Sequence, residues 1–340
     1  LESLLGADVR LDVLSCAAQQ FRVGPISSAS SHGRLFFCGE ALAVSSPFGG
    51  AGGNLGVQDA TNLAWKLALV ILQGAPAALL GTYRLERDGA HRIAAERKIR
   101  GEQMLAPATG VQHGMQQVAL TLLRTGIASG AALLGCVGAP PSPAQLNTSP
   151  LVLRDDGGGG GAAFRSGSPG PGDPFRDVAV GDLSLEVDGA KHPVASLLGR
   201  DFLLGYMGHF FTLVIFVLSV KDIPWDGLRS IDRSRLQMTL ELVRKVVVIL
   251  DVSGLKRGSD MHVEAMRRAH RVETNLVADV SGGAAAAYDA RPGTTLLIRP
   301  DLYVAARWRE LRPREAHDAF LMSSGHLLHT VPRRPHSPTI

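Results

Sequence analysis

The sequence predicts an α/β protein, and three observations lead to that class. Short apolar runs rich in β-branched residues alternate with helical stretches, most regularly in the second half of the chain. A loop dense in glycine separates one such run from a long amphipathic segment in the first half. An apolar fraction of 45% with a charged fraction of 19% is typical of a chain that buries a core. The 340 residues suffice for two domains of ordinary size.

The first half is predicted to open with strand and loop, and the run "GRLFFCG" is predicted as a compact buried strand. Six glycines follow between Gly39 and Gly56, and glycine this dense costs conformational entropy unless something approaches the backbone closely. A strand that ends in Gly39-Glu40 and leads through glycines to a helix N-terminus forms a cradle for an anion or a cofactor. The spacing alone fits a tight glycine turn without a ligand equally well.

Two helices are predicted directly after the glycine loop. Leucine and isoleucine side chains four residues apart indicate a helix over Leu55–Gln73 that ends at Gly74, and we expect its Trp65 to lie in the core. A polar helix follows, on which three charged residues are expected to pair on an exposed face: Arg84, Glu86 and Arg87. Residues 111–139 form a further helical stretch rich in alanine and leucine.

A change in composition predicts the domain organisation. Residues 140–174 carry five consecutive glycines and several prolines, which is typical of a linker or of a surface insertion without a core of its own. Residues 1–139 precede it as one unit, residues 175–330 follow as a second α/β unit, and residues 331–340 form a tail.

The second unit is predicted to contain alternating strands and helices: strands at Phe211–Val217 and "VVVILDV", helices at Arg233–Lys245 and Gly258–Ala269, and a hairpin around Pro300-Asp301. The apolar run Phe202–Val220 approaches the length that crosses a bilayer. Two glycines and a histidine interrupt it, and its second half is β-branched and aromatic. We therefore expect a turn that leads into a buried strand, and no membrane span.

Composition also argues against several functions. The net charge of +4 is scattered, so no nucleic-acid partner is expected. Cys16, Cys38 and Cys136 form no CxxC pair, which predicts buried structural thiols in a reducing, cytoplasmic compartment and neither a disulfide scaffold nor a zinc site. No leader segment is visible at the start. His326 and His329 are interpreted as residues of a helix end and not as metal ligands. No catalytic side chain is assigned.

A longer motif resolves the glycine loop in favour of a cofactor. The string "GEALAVSSPFGGAGGNLGVQDATNLAWKLALVILQGAPAALLGTYRLERDGAH" resembles the second FAD-binding signature of the class A flavoprotein aromatic hydroxylases, the family of phenol hydroxylase and p-hydroxybenzoate hydroxylase. The likeness keeps its spacing unbroken from the loop through both helices. It implies FAD as cofactor and NAD(P)H as co-substrate.

The resemblance also implies which residues hold the flavin. Gly39 and Glu40 would meet the ribityl chain, and Pro47 would flank the flavin ring. Amides at the start of the helix would face the pyrimidine end of the ring, where the helix dipole stabilises negative charge. Eight positions are thereby expected to bind FAD: Gly39, Glu40, Pro47, Gly49, Gly50, Gly52, Gly53 and Asn54.

The second unit is similar to the thioredoxin-like C-terminal domain of phenol hydroxylase-type monooxygenases, most clearly in "RPDLYVAARW". In that family this domain lacks the redox CxxC and contributes to subunit contacts, which implies a homodimer through it. The expected fold is the C-terminal part of an FAD-binding monooxygenase fold, without its GxGxxG unit, followed by a thioredoxin-like α/β domain.

Two functional hypotheses follow from the resemblance. In the first, the protein is an FAD-dependent monooxygenase that hydroxylates a phenolic or polycyclic aromatic substrate with NAD(P)H and oxygen. In the second, it is a truncated or degenerate homologue without catalysis that serves as an oligomerisation or interaction module. Two departures favour the second: Glu40 stands where the family has aspartate, and Ala43 stands where it has histidine.

Overall fold

The computed structural model describes the following residues of the chain: 24–25, 30–44, 51–105, 114, 145–153, 163–182, 201–207, 211–218, 245–251, 273–279, 281–310 and 313–328. The helices within these ranges are α1 (Ala51–Leu72), α2 (Ala78–Leu105), α3 (Gly283–Tyr288) and α4 (Pro313–Ser323), with 3₁₀ turns at Gly39–Ala41 and Leu203–Tyr206. The strands of the first half are β1 (Gly24–Pro25), β2 (Ser31–His32), β3 (Leu35–Phe36) and β4 (Ala43–Val44). Those of the second half are β5 (Ala179–Asp182), β6 (Asp201–Phe202), β7 (Thr212–Val217), β8 (Lys245–Asp251), β9 (Glu273–Asp279), β10 (Thr295–Ile298) and β11 (Val304–Trp308).

The strand predicted in "GRLFFCG" is much shorter than expected and is not buried. β2 and β3 form a two-stranded antiparallel hairpin in which Ser31 faces Phe36 and His32 faces Leu35. Because this hairpin pairs with no other described strand, Leu35 stays 63% exposed. The prediction of a compact buried strand was wrong at this point.

The two predicted helices of the first half are confirmed. α1 starts at Ala51, before the predicted start at Leu55. Its first turn consists of small residues, which show no apolar periodicity from which the start could be predicted. Gly74 adopts a positive φ of 70° just beyond the last turn, as a helix-ending glycine does. α2 then runs back along α1, and Trp65 of α1 is buried as predicted.

A seven-stranded mixed sheet forms the second half, in the order β11-β10-β7-β8-β9-β5-β6. β7, β8 and β9 are parallel, whereas β10, β11, β5 and β6 are joined by antiparallel pairs. The predicted strands at Phe211–Val217 and "VVVILDV" and the predicted hairpin are confirmed. The α/β class is therefore confirmed, and the thioredoxin-like assignment stays a prediction.

Both faces of the sheet are covered, as the continuous apolar run of β7 requires. Leu213, Ile215 and Val217 point to a cluster that also contains residues of α1, α2 and α4. Val214 and Phe216 point to the opposite cluster with Tyr288 of α3. The first cluster brings the two helices of the first half directly onto the sheet of the second half. It includes edge-to-face contacts of Trp65 with Phe211 and of Phe211 with Phe320, at ring-centroid distances of 5.7 and 5.1 Å.

Parts of the predicted linker are packed onto this sheet. Leu146 and Leu151 are buried, the amide of Leu153 donates to Ala305, and the amide of Gly172 donates to Val304. These stretches thus share the core of the sheet instead of lacking one. The division into residues 1–139, 140–174 and 175–330 stays a prediction.

Three predicted helices, over 111–139, 233–245 and 258–269, fall wholly or almost wholly outside the described residues, apart from Gly114 and from Lys245, which begins β8. In the described part of the chain, no helix combines the length and the apolarity that a bilayer crossing demands. The run before β7 forms a 3₁₀ turn and then a buried strand, as predicted.

Candidate cofactor site

The turn Gly39–Ala41 connects β3 and β4 and lies against the beginning of α1. Gly39 has a φ of 59°, in the left-handed region that glycine adopts without strain. A Cβ atom added to Gly56 of α1 would lie 3.1 Å from the Cα of Gly39. Two facing glycines therefore let the turn and the helix approach backbone to backbone.

A buried carboxylate anchors this turn to both helices. The amide of Gly39 donates to Oδ2 of Asp59 at 2.9 Å, and Asp59 also accepts Arg87 Nε at 2.6 Å and pairs with His91 Nε2 at 2.8 Å. These four residues are called the Asp59 cluster below. Burial raises the pKa of Asp59, but the His91 hydrogen bond and the Arg87 charge outweigh it, so the pKa lies below its ordinary value.

The segment before the turn has anchors of its own. The Tyr83 hydroxyl of α2 donates to the carbonyl of Phe37 at 2.6 Å, and the amide of Ser30 donates to Asp88 at 3.2 Å. Tyr83 is fully buried, and burial raises the pKa of its hydroxyl. α2 therefore fixes the hairpin on one side of the turn, while α1 fixes the turn itself.

Five of the eight predicted FAD-binding positions lie in the described residues, at two neighbouring places. Gly39 and Glu40 are in the turn, with Glu40 exposed, and Gly52, Gly53 and Asn54 form the first turn of α1. A Cβ atom on Gly53 would meet no atom within 4 Å. The other three positions, Pro47, Gly49 and Gly50, lie outside the described residues.

These residues fit the flavin end of FAD. The first four amides of a helix have no partner within the helix, and the dipole gives that end about half a positive charge. Gly53 and Asn54 are exposed there, beside the exposed carboxylate of Glu40. Bare backbone, a partial positive charge and a hydrogen-bond acceptor are what a flat, polar ring with a polyol chain requires.

A second buried polar group lies next to the first and was not predicted. It comprises Asn62 and Lys66 of α1, Glu86 of α2, Ser149, and Arg299 and Asp301 from the hairpin between β10 and β11, and is called the Glu86 cluster below.

Glu86 lies at the centre of this cluster. It accepts hydrogen bonds from Lys66 Nζ at 2.7 Å, from Asn62 Nδ2 at 2.7 Å and from both terminal nitrogens of Arg299 at 2.7 and 3.0 Å, as well as from the hydroxyl of Ser149. Arg299 in turn holds Asp301 through Nε at 2.9 Å and Nη2 at 2.6 Å. Every charge of the cluster thus has a partner of opposite sign.

The expectation of ion pairs on an exposed face was wrong for Glu86 and Arg87 and correct for Arg84. The side chains of Glu86 and Arg87 are 0% and 1% exposed, because at their positions α2 faces α1. Arg84 faces solvent and pairs with Asp88 at 3.3 Å. The missed signal is in α1, where three polar residues, Asp59, Asn62 and Lys66, are buried among leucine and tryptophan side chains.

Burial and pairing act against each other in the Glu86 cluster. Burial raises the pKa of Glu86, but Arg299 and Lys66 hold it well below its ordinary value. Burial lowers the pKa of Lys66 to about 8, which the attraction of Glu86 only partly offsets. The guanidinium of Arg299 also lies 5.2 Å from the ring centroid of Trp65.

A cleft of about 930 Å³ begins at the first turns of α1. Its walls are α1 at Asn54, Leu55 and Gln58, α2 from Leu85 to Ala94, and the segments 145–149 and 167–176. Glu86 and Ser149 form part of its lining, so the Glu86 cluster borders a cleft that also reaches Asn54 in the first turn of α1.

Cys38 precedes Gly39 and is exposed, so the expectation of buried thiols was wrong for this cysteine, and Cys16 and Cys136 lie outside the described residues. Among the residues placed by the structure, no three histidine, cysteine or acidic side chains are arranged to hold a metal ion. His326 lies in the turn after α4 and contacts Ser324, and His329 is not among the described residues.

Comparison with known proteins gives three kinds of match. Residues 18–97 match the family of the FAD binding domain. The chain is 30% identical over 282 residues to a 4-methyl-5-nitrocatechol 5-monooxygenase from a Burkholderia species, a match that spans 82% of this chain and 41% of that protein. It is 56% identical over 54 residues to a rifampicin monooxygenase from Rhodococcus hoagii, covering 16% of this chain and 11% of that one.

Solved structures match over most of the chain. The flavin-dependent monooxygenase PieE in complex with FAD and substrate aligns with a TM-score of 0.57 at 20% identity, over 89% of this chain and 49% of that one. A ternary complex of aklavinone-11 hydroxylase with FAD and aklavinone aligns with a TM-score of 0.53 at 20% identity, over 87% and 44%. These likenesses concern the fold, and the chain spans less than half the length of the relatives that it matches.

Proposed function

Since the chain belongs to the FAD-dependent aromatic hydroxylases, we propose that the protein binds FAD between the Gly39–Ala41 turn and the start of α1 and hydroxylates an aromatic substrate. The substrate class is phenolic or polycyclic, in keeping with the nitrocatechol and rifampicin named for two relatives. NAD(P)H is the reductant and oxygen the second co-substrate.

The observation that carries the proposal is the anchoring of Gly39 by Asp59. That hydrogen bond, at 2.9 Å, ties the turn that bears Glu40 to the helix that bears Gly53 and Asn54. Both halves of the cradle therefore keep one fixed separation before any ligand arrives. A preformed site spends less binding free energy on ordering the protein, and cofactor chemistry tolerates errors of only about 0.5 Å.

Each residue of the cradle has a part in this proposal. The Glu40 carboxylate accepts hydrogen bonds from hydroxyls of the ribityl chain, and the amides of Gly53 and Asn54 face the pyrimidine end of the ring. Bound FAD supplies the redox chemistry through which an oxygen atom enters an aromatic ring. The positive end of α1 favours negative charge on the ring, which stabilises its reduced form.

The second candidate is a homologue without catalysis that serves, through its C-terminal sheet, as an oligomerisation or interaction module, for example in a homodimer. Two residues favour it: Glu40, whose side chain is one methylene longer than the aspartate of the family, and Ala43, which replaces a histidine. Ala43 is half-buried in β4 directly after the turn, so a polar group is missing close to the cradle.

Titration of the purified chain with FAD tests the cofactor site. We expect a bound flavin band near ~450 nm. We expect affinity to fall about tenfold to hundredfold in Glu40→Ala, the loss typical of a charge-assisted hydrogen bond. Glu310→Ala removes another exposed glutamate, which follows β11 in the C-terminal sheet, and serves as the matched control. A chain that takes up no FAD contradicts the proposal.

Consumption of NADH or NADPH that depends on an added aromatic compound tests the activity. Catechols, nitrophenols and polycyclic phenols are the compounds to compare. FAD uptake without any such consumption would favour the non-catalytic candidate over the hydroxylase.

A further inference from the structure

We propose that the Arg299–Asp301 turn of the C-terminal sheet is a positioning element of the flavin site. Through the Glu86 cluster it fixes α1 against α2, and thereby sets where the first turn of α1 and the Gly39 turn stand. The inference rests on the proposed FAD site. It adds to that site a part of the C-terminal sheet that acts on the Gly39 turn through the two helices.

The contacts of Arg299 give it a geometric role. Its guanidinium bonds Glu86 on one side and Asp301 on the other, at distances between 2.6 and 3.0 Å. A guanidinium is planar and its donors form a rigid fork, so two such pairs fix direction as well as distance. Asp301 also accepts Asn62 Nδ2 at 2.9 Å, which extends the same turn to α1. One turn of the sheet thus holds both helices.

The Glu86 cluster continues directly into the Asp59 cluster. Glu86 and Arg87 are neighbours on α2, and Asp59 and Asn62 are three residues apart on the same face of α1. Any slide of α1 along α2 that loosens the first cluster also moves Asp59 relative to Arg87. Since Asp59 holds the amide of Gly39, the displacement reaches the cofactor turn.

Apolar packing alone does not supply this register. Trp65, Leu69 and Leu79 pack against the sheet, but burial of apolar surface is non-directional and tolerates small slides. A buried polar cluster leaves a charge unpaired as soon as its geometry is lost. The pairs of the cluster therefore add a directional constraint on how the two helices lie against each other.

The backbone of the turn is itself held in an unfavourable conformation. Leu302 has a φ of 64°, which costs a non-glycine residue free energy. Its amide donates to the carbonyl of Arg299 at 3.0 Å, and the amide of Arg299 donates to Tyr303 at 2.8 Å. Strain of this kind persists where surrounding contacts enforce it, here the contacts that aim Arg299 and Asp301 at the helices.

The test compares Arg299→Met with Arg309→Met in the full chain. Arg309 lies just after β11 of the same sheet, stacks on Phe164 and pairs with Asp289 at 2.5 Å, so it is an arginine of the same sheet with an ion pair of its own. Two readouts are taken for each variant well below its Tm. The first is the affinity for FAD with the visible spectrum of the bound flavin, and the second is hydrogen exchange of the peptide around Gly39 without FAD.

We expect Arg299→Met to lower FAD affinity about tenfold or more, because the cradle is displaced, and to speed exchange around Gly39. Arg309→Met should lower the Tm and leave both readouts unchanged. Arg299→Lys, which keeps the charge and loses the fork, should fall between wild type and Arg299→Met. Asp301→Asn keeps the size of the side chain and gives the measurement if Arg299→Met does not fold.

The outcomes separate this inference from the proposed function. A wild-type chain that binds no FAD overturns both. A wild-type chain that binds FAD, with Arg299→Met and Asp301→Asn equal to it in affinity and exchange, overturns the positioning role and leaves the proposed function standing. Equal effects of Arg299→Met and Arg309→Met reduce Arg299 to a stabilising residue and also overturn it.

Discussion

Two short turns of this chain, Gly39–Ala41 and Arg299–Leu302, use opposite physical means. Both contain a residue with positive φ, Gly39 at 59° and Leu302 at 64°. The first turn leaves Glu40 exposed and brings bare backbone against α1. The second turn buries Arg299 and pairs it twice. Glycine meets its φ without strain, whereas leucine has to be held there.

The difference shows that the exposed turn and the buried groups that fix its position are separate parts of the chain. A turn that receives a ligand has to leave donors and acceptors unpaired, and so it contributes little to its own position. In this chain the position comes from buried groups beneath it, first from the Asp59 cluster and then from the Glu86 cluster. The exposed site is only as well defined as the buried clusters behind it.

Glu86→Ala removes the central carboxylate of the buried Glu86 cluster. Lys66 and Arg299 then lose the carboxylate between them and remain buried as like charges. We expect a loss of about 3–5 kcal/mol in the free energy of unfolding, measured by denaturant titration. Arg84→Ala is the matched control on the same helix, and its exposed pair should cost at most about 0.5 kcal/mol. Similar losses in both variants would contradict the assignment of Glu86 to the core.

Acid should weaken the same clusters. The pKa values of Asp59 and Glu86 are lowered in the folded chain from ordinary values of 3.8 and 4.5. A lowered folded pKa means that the unfolded chain binds protons first, so the stabilising contribution is complete above about pH 4.5 and is lost as pH falls further. The Tm measured between pH 3 and pH 7 tests this, and Asp59→Asn is expected to give a curve of Tm against pH that is flatter than that of the wild type. An unchanged curve in that variant would contradict the shift.

Gly56→Ala disturbs the approach of turn and helix. The new methyl group lies 3.1 Å from the Cα of Gly39, so the turn has to move by a few tenths of an ångström. We expect a loss of about 1 kcal/mol, since overpacking outweighs the gain in helix propensity, together with weaker FAD binding. Unfolding titration and FAD titration of the same sample give both values. A more stable variant that binds FAD normally would refute the close approach.

Gly53→Ala separates ligand space from protein stability. Its methyl group meets nothing within 4 Å, so the free chain should gain a few tenths of a kcal/mol up to about 1 kcal/mol. FAD binding should nevertheless weaken, because the methyl group occupies space that the proposed flavin ring would fill. Gly81→Ala in α2 makes the same change away from the cradle, where a Cβ also meets nothing within 4 Å, and should stabilise without affecting FAD. Unchanged FAD affinity in Gly53→Ala would place the ring elsewhere.

The sequence is informative about local pattern and weak about which charges meet. The continuous apolar run of β7 and the helical spacing of α1 are patterns of residues close in the chain, and both predictions are confirmed. The pairing of Glu86 with Arg299 joins residues 213 positions apart, which no local pattern reveals. The burial predicted for Leu35 fails for a related reason: burial depends on a neighbouring strand, and within the described residues the hairpin pairs with none.

The resemblance to the FAD-binding signature predicts flavin-binding positions, which stay a prediction, and it says nothing of the buried groups that hold them. Gly39, Glu40 and the glycines of α1 stand out because glycine is rare in such density. Asp59 and His91 fix Gly39 and lie within the string that carries the resemblance, but the resemblance alone assigns them no role, because a buried carboxylate and an exposed one have the same one-letter code. Polar residues among the apolar positions of one helical face, as Asp59, Asn62 and Lys66 are in α1, indicate buried polar contacts.

The formal charges of the Glu86 cluster cancel: Lys66 and Arg299 are balanced by Glu86 and Asp301. Mobile ions approach no closer than the protein surface, and they screen charges only over the solvent between them. Because all four side chains are at most 2% exposed, the attachment of the helices to the sheet should be nearly independent of ionic strength. The exposed cradle, with Glu40 in water, should respond to added salt while the scaffold beneath it does not.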